Sequence, residues 1–181
     1  MLMEFMGLHL PGASFVHPGT PLRAALTSAA VARAAAITAR GNDYRPAGRI
    51  LDERAFVNGM VGLMATGGST NLVLHLPAMA HAAGIELALE DFDAIAACVP
   101  LIAKVYPNGL ADVNHFHAAG GLGFMIGELL EAGLLHPDTE TIAGTGLARY
   151  TQEPKLIDGM LEWQAGTVES LNTRILRPVS D

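Results

Sequence analysis

Two helical hydrophobic patterns meet at Gly67-Gly68 in the stretch MATGGSTNLVLHL (residues 64–76). Glycine is costly inside a helix and favoured at its end, whereas Ser, Thr and Asn are the side chains that best open one. The chain therefore stops one helix and restarts another at Ser69, Thr70 or Asn71. The same punctuation recurs along the sequence. Thr20 caps and Pro21 occupies the first turn of an alanine-rich helix that is predicted to run to Arg40, with Gly41 beyond its end. Asp52 opens a second helix, predicted to end at Gly67. A third carries Leu72, Leu76, Met79 and Ala83 on one face, with a kink expected at Pro77 and an end at Gly84.

Downstream, LEDFDAIAACV reads as a short helix with acidic residues in its first turn, cut off at Pro100. LIAKVYP is a continuous apolar run suited to a buried strand, and Asn108-Gly109 turns the chain. Asp112 caps a helix through VNHFHAA, LGFMIGELLEA makes another that stops at Gly133, and ETIAG reads as a second short strand. After about Asp158 the pattern weakens, and residues 158–181 read as a trailing linker. The fold class is α/β, helix-predominant, with residues 1–157 as one domain and a few short strands expected to be parallel.

With 181 residues and half of them hydrophobic, the chain can bury a core without a disulfide or metal. Charged or proline and glycine residues interrupt every apolar run before about 20 residues, so no transmembrane helix is expected. A net charge of −7 disfavours nucleic acid and anionic membrane as partners. The single cysteine, Cys98, excludes an internal disulfide and suits a reducing cytoplasm. The N-terminus MLMEFMGLHLPGA is apolar but has no basic region and carries Glu4, unlike a secretory leader.

The Gly67–Asn71 junction has two readings. A helix N-terminus with glycines ahead of it offers unpaired N–H groups, a partial positive charge and close backbone approach, which suits a carboxylate, a phosphate or a polyol edge. Equally, Ser69 and Thr70 can simply cap a tight helix–helix turn. His115 and His117 are spaced by two, which diverges on a helix and does not suit a metal pair there. A polar contact from these two histidines to a substrate or neighbouring subunit stands beside a structural role for both. GTGLAR (Gly144 to Arg149) imitates a dinucleotide fingerprint, but Arg149 occupies the position where close helix–strand packing needs a small residue. No catalytic set emerges from the residues.

Four stretches in this order, MEFMGLHLPGASFV, MATGGSTNLVLHLPAMAHAAGI, VYPNGLADVNHFHAAGG and ELLEAGLLH…TIAGTGLARYT, resemble the dihydroxy-acid and phosphogluconate dehydratase family. They span nearly the whole chain, roughly Met3 to Trp163. The run NHFH before AAGG, with VYPNG ahead of it, is closest to the phosphogluconate branch. The resemblance implies a hydro-lyase of the Entner–Doudoroff pathway, removing water from 6-phospho-D-gluconate, with an iron–sulfur cluster (4Fe-4S) and Mg²⁺ in the parent enzyme. It also implies a homodimer. Its cluster cysteines would lie upstream of Met1, and a C-terminal β-rich domain would follow Asp181. The chain then corresponds to the second part of an N-terminal α/β domain, holding no metal and no catalytic residue, and inactive alone. The positions that carry over as substrate contacts are Gly67, Gly68, Ser69, Thr70 and Asn71, with Asn114 and His117 as further candidates. Another sugar-acid or dihydroxy-acid dehydratase, or a non-catalytic helical interaction domain, are the alternatives.

Overall fold

Helix starts follow the capping chemistry. In the computed structural model, which describes residues 1–181, a single-turn α1 (Leu2–Phe5) precedes α2 (Pro21–Ala36). The Thr20 hydroxyl accepts from the Arg23 amide at 3.2 Å to open α2. A further single turn, α3 (Ala47–Ile50), leads to α4 (Glu53–Thr66), where Asp52 accepts from the Ala55 amide at 2.9 Å. Then come α5 (Asn71–Ala82), which runs through Pro77, and α6 (Leu89–Ala96), where the Asp91 side chain reaches back to the Ala88 amide at 2.8 Å. Asp112 caps α7 (Val113–Ala118), and α8 (Gly121–Glu131) follows after Gly120. No helix is long and apolar enough to cross a membrane.

The strands are few and short. β1 (Glu140–Thr141) pairs with β2 (Gly144–Thr145), and after a 3₁₀ turn at Leu147–Thr151, β3 (Gln152–Ile157) pairs with β4 (Met160–Ala165). Both pairs are antiparallel, not parallel. Each is joined by only two residues, Ile142-Ala143 and Asp158-Gly159, and a parallel pair would need a crossover of about a dozen or more. The chain is thus α/β and helix-predominant, with the strands as two hairpins.

Three other expectations need correction. LIAKVYP forms no strand, only isolated bridges from Ala103 to Leu176 and from Val105 to Ala111. The Ile102 and Ala103 amides donate instead to the Ala65 carbonyl at the end of α4, which buries these two residues as a helix-capping segment while Lys104, Tyr106 and Pro107 stay exposed. α2 ends at Ala36 rather than Arg40, because the chain folds back over its last carbonyls. The Asp43 and Arg45 amides donate to the Ala36 and Ile37 carbonyls. Residues 158–181 do not trail away. β4 lies in this stretch, Leu176 is fully buried, and the Arg177 guanidinium donates to the Leu101 carbonyl. Its apolar residues carry no periodic signal, since Leu176 alone is fully buried while Met160, Val168 and Leu171 are exposed.

The largest apolar cluster forms around α8. Met125, Ile126 and Leu129 are inaccessible to solvent and pack with Phe5, Phe116, Leu147, Tyr150 and Leu176. Each such side chain contributes roughly 1.5–3 kcal/mol. A second cluster joins α1, α4, α5 and α6 through Met6, Phe56, Met60, Leu76 and Phe92. A third, with Leu10, Val16 and Leu26, seats α2 against the β3–β4 hairpin through Leu161 and Trp163. Gly62 explains how α1 docks on α4: a Cβ there would stand 2.5 Å from the Phe5 ring. Fully buried Asn58 of α4 donates to the His136 carbonyl (3.0 Å) and accepts from its amide (2.8 Å), tying α4 to the segment after α8. On the surface, Arg33 and Arg45 both grip Asp43, and Arg45 also pairs with Glu140. Hydrogen bonds from the two guanidiniums, Arg45 foremost, hold the Asp43 carboxyl below the usual carboxylate range.

Candidate functional site

The junction at 67–71 is set by a left-handed glycine. Gly67 ends α4 at φ 58°, ψ 42°, and the Gly67 and Gly68 amides close onto the Met64 and Leu63 carbonyls. Its own carbonyl accepts from the Asn108 side-chain amide at 3.0 Å, 41 residues away. A Cβ on Gly67 would come within 2.1 Å of that Asn108 nitrogen and 2.8 Å of Leu101. Asn108 is a residue that sequence reasoning used only as a turn; the Asn-Gly pair gives no hint of its distant partner.

Beyond the glycines the chain exposes its donors. Ser69, Thr70 and Asn71 are solvent-exposed. The Ser69 hydroxyl accepts from the Asn71 amide at a long 3.3 Å, while the Thr70 hydroxyl and Asn71 carboxamide make no hydrogen bond within the chain. Thr70 has helical dihedrals (φ −58°, ψ −21°) and does not cap with its side chain, which corrects that half of the expectation. The Leu72 and Val73 amides fold onto the Ser69 and Thr70 carbonyls. The Ser69 and Thr70 amides have no intrachain partner. Two backbone N–H groups, one hydroxyl and one carboxamide thus face solvent at the positive end of a 12-residue helix.

The other two candidates lie on α7. Asp112 accepts from the Asn114 and His115 amides at 2.9 and 3.0 Å, and its carboxylate meets the His115 ring at 2.9 Å. The His115 amide, helped by that of Asn114 and the His115 ring, holds the Asp112 carboxyl below the usual range. A lowered folded-state pKa means the contribution to α7 is present at neutral pH and is lost as pH falls through that lowered range. Asn114 is exposed and its side chain is free of intrachain bonds. His117, also exposed, borders a cavity of about 110 Å³ lined by Glu4, Gly12, Phe15, Gly120, Gln152 and Lys155, among others. None of that cavity's walls comes from Gly67–Asn71. The structure therefore places Gly67–Asn71 and His117 in two separate surroundings, with the Asn108 loop as the link between the junction and α7.

Residues 1–150 match the N-terminal family of dihydroxy-acid/6-phosphogluconate dehydratases. The chain belongs to the dihydroxy-acid/6-phosphogluconate dehydratase family. It is 53% identical over 176 residues to phosphogluconate dehydratase of Escherichia coli K12, covering 97% of this chain and 29% of that protein. It is 57% identical over 180 residues to the Rhizobium meliloti phosphogluconate dehydratase, covering 99% of this chain and 30% of the relative. A dihydroxy-acid dehydratase of Metallosphaera sedula is 40% identical over 159 residues, covering 86% and 28%. The chain spans about 30% of the length of the curated relatives it matches.

An iron–sulfur cluster is the cofactor the family resemblance implies, and such clusters are held by several thiolates. This dehydratase-family chain offers one exposed cysteine, Cys98, and no group of three His, Cys, Asp or Glu side chains placed to hold a metal ion. Its donor set does not fit a cluster.

Proposed function

We propose that the chain is part of a 6-phosphogluconate dehydratase, supplying one wall of the substrate site rather than the reacting groups. The reaction breaks the C2–H and C3–O bonds of 6-phospho-D-gluconate and gives 2-dehydro-3-deoxy-6-phosphogluconate and water. The cluster and any Mg²⁺ belong, on this reading, to other segments of a longer protein, as do the base and the partner protomer of a homodimer. The chain alone turns nothing over. The identity to several phosphogluconate dehydratases, higher than to the dihydroxy-acid dehydratase above, favours the phosphorylated sugar acid.

The observation that carries the proposal is the set of unspent donors at Ser69, Thr70 and Asn71. Donors that the chain leaves without an acceptor, at a helix N-terminus, are suited to the phosphate or carboxylate of the substrate. Gly67 and Gly68 let that ligand approach the backbone, and the Asn108 contact fixes the turn. Replacing Ser69→Ala with Thr70→Ala in the longer protein is expected to raise KM about tenfold or more, since hydrogen bonds to a charged group contribute roughly 1.5–3 kcal/mol. The melting temperature should fall little, because only the long Ser69 contact to the Asn71 amide is lost. An unchanged KM with a clearly lowered melting temperature would leave capping as the sole role of these hydroxyls.

A further inference from the structure

The buried carboxylate of Glu4 has no ion pair to explain it. Its side chain is inaccessible to solvent, yet no Lys or Arg reaches it. The nearest basic group is the His9 ring, whose Nδ1 stands 3.9 Å from Oε1, beyond hydrogen-bond distance, and has no other partner. Both carboxylate oxygens are spent on backbone: Oε2 accepts from the Gly12 amide at 2.7 Å and Oε1 from the Ser14 amide at 2.9 Å. A charged acceptor on two short N–H bonds is among the stronger ways to fix a loop.

That loop has one consequence at the surface. It ends in Phe15, whose ring meets Phe116 edge-on at 5.6 Å between centroids and lies 6.4 Å from the His117 ring. Glu4, Gly12, Phe15 and His117 all line the same small cavity. The other face of the loop is held independently, as Trp163 donates to the Pro11 carbonyl and Tyr150 to that of His9, both at 2.9 Å. The Tyr150 hydroxyl is held above the usual tyrosine range, chiefly by burial, and so remains a donor. The loop is therefore pinned at 9 and 11 from the core, at 12 and 14 by Glu4, and at 13 and 16 by the Arg23 guanidinium, which donates to the Ala13 and Val16 carbonyls.

We propose that Glu4 is the positioning residue of His117: by clamping the Gly12 and Ser14 amides it sets Phe15, and Phe15 sets the orientation of the His117 ring at the mouth of the cavity. Glu4 acts through the loop, each of its oxygens accepting one loop amide. The placement of the ring is independent of what the ring contacts; its relevance to a sugar acid rests on the reading above.

Two measurements separate these layers. In the 181-residue chain, Glu4→Gln keeps size but can accept only one of the two N–H bonds. Its amide spectrum should lose the downfield position of the Gly12 or Ser14 signal, and the His117 ring signals should shift away from their wild-type positions. Phe15→Leu, which leaves the carboxylate clamp alone, should change the His117 side-chain rotamer, read from three-bond couplings because loss of the Phe15 ring current shifts the ring signals by itself, while Gly12 and Ser14 stay in place. Unmoved His117 signals in folded Glu4→Gln, or an unchanged His117 rotamer in folded Phe15→Leu, would overturn the proposal. Should Glu4→Gln fail to fold, Glu4→Asp, which keeps the charge but shortens the reach to the Gly12 and Ser14 amides, carries the test, and unmoved His117 signals there overturn it equally. In the longer protein, Glu4→Gln should raise the KM for 6-phosphogluconate severalfold with a smaller change in kcat. Moved ring signals with an unchanged KM would sink the sugar-acid role of His117 and leave the positioning intact.

Discussion

Gly67→Ala is expected to destabilise the chain by about 2–3 kcal/mol. The left-handed backbone there costs an L-residue roughly 1–2 kcal/mol, and the added methyl would collide with the Asn108 carboxamide 2.1 Å away. Displacing that carboxamide also forfeits its hydrogen bond to the Gly67 carbonyl, about 1 kcal/mol more. Thermal or urea unfolding of the two chains gives the difference. The substitution should act on the site as well, since the turn that aims Ser69 and Thr70 at solvent is held from Asn108. A stability within about 0.5 kcal/mol of wild type would mean that the turn relaxes freely and that neither glycine strain nor Asn108 defines the junction.

Asn58→Ala should cost about as much, roughly 3 kcal/mol, by a different route. Asn58 is fully buried in α4 and makes a reciprocal pair of bonds with the His136 backbone. Removing the carboxamide strands an N–H and a C=O and opens a void, each a recognised source of large losses. Asn58→Asp is the informative companion. It keeps the acceptor for the His136 amide but turns the opposite donor into a second acceptor facing the His136 carbonyl, so it should be at least as damaging. An unfolding midpoint for Asn58→Ala equal to that of wild type would show that water replaces both bonds, and that α4 does not depend on the segment after α8.

The helices were legible because their signals are local. Thr20, Asp52 and Asp112 each bond an amide two or three residues ahead, so the residue and its consequence lie within one turn of sequence. The strands were not, because pairing is decided by partners that periodicity cannot name. LIAKVYP has strand composition, yet its amides go to the end of α4, and its neighbour is Leu176, more than 70 residues on. β4 escaped notice because Met160, Glu162 and Gln164 alternate with only half-buried residues, leaving little contrast between its faces.

The site divides in the same way. The turn at Gly67 and the polar run Ser69–Asn71 of the candidate site could be read from residue type alone. That Thr70 leaves its hydroxyl free rather than capping with it is a property of its helical dihedrals, which composition does not report. The contacts that Asn108 makes with Gly67, and Glu4 with the Gly12 and Ser14 amides, were invisible. Their partners lie 41 positions away in the first case and across a turn of 8 and 10 positions in the second, and an acidic residue in an apolar N-terminus reads as exposed until the fold buries it.

The most direct test of the account is a backbone amide titration of the 181-residue chain, first with 6-phosphogluconate and then with gluconate. Saturable shifts are expected at Ser69, Thr70 and Asn71 with the phosphorylated acid, and much weaker ones with gluconate. A dispersed spectrum in which those three amides stay fixed while ligand is added, or move equally with both acids, would contradict the assignment of the junction as a phosphate-bearing substrate's cradle.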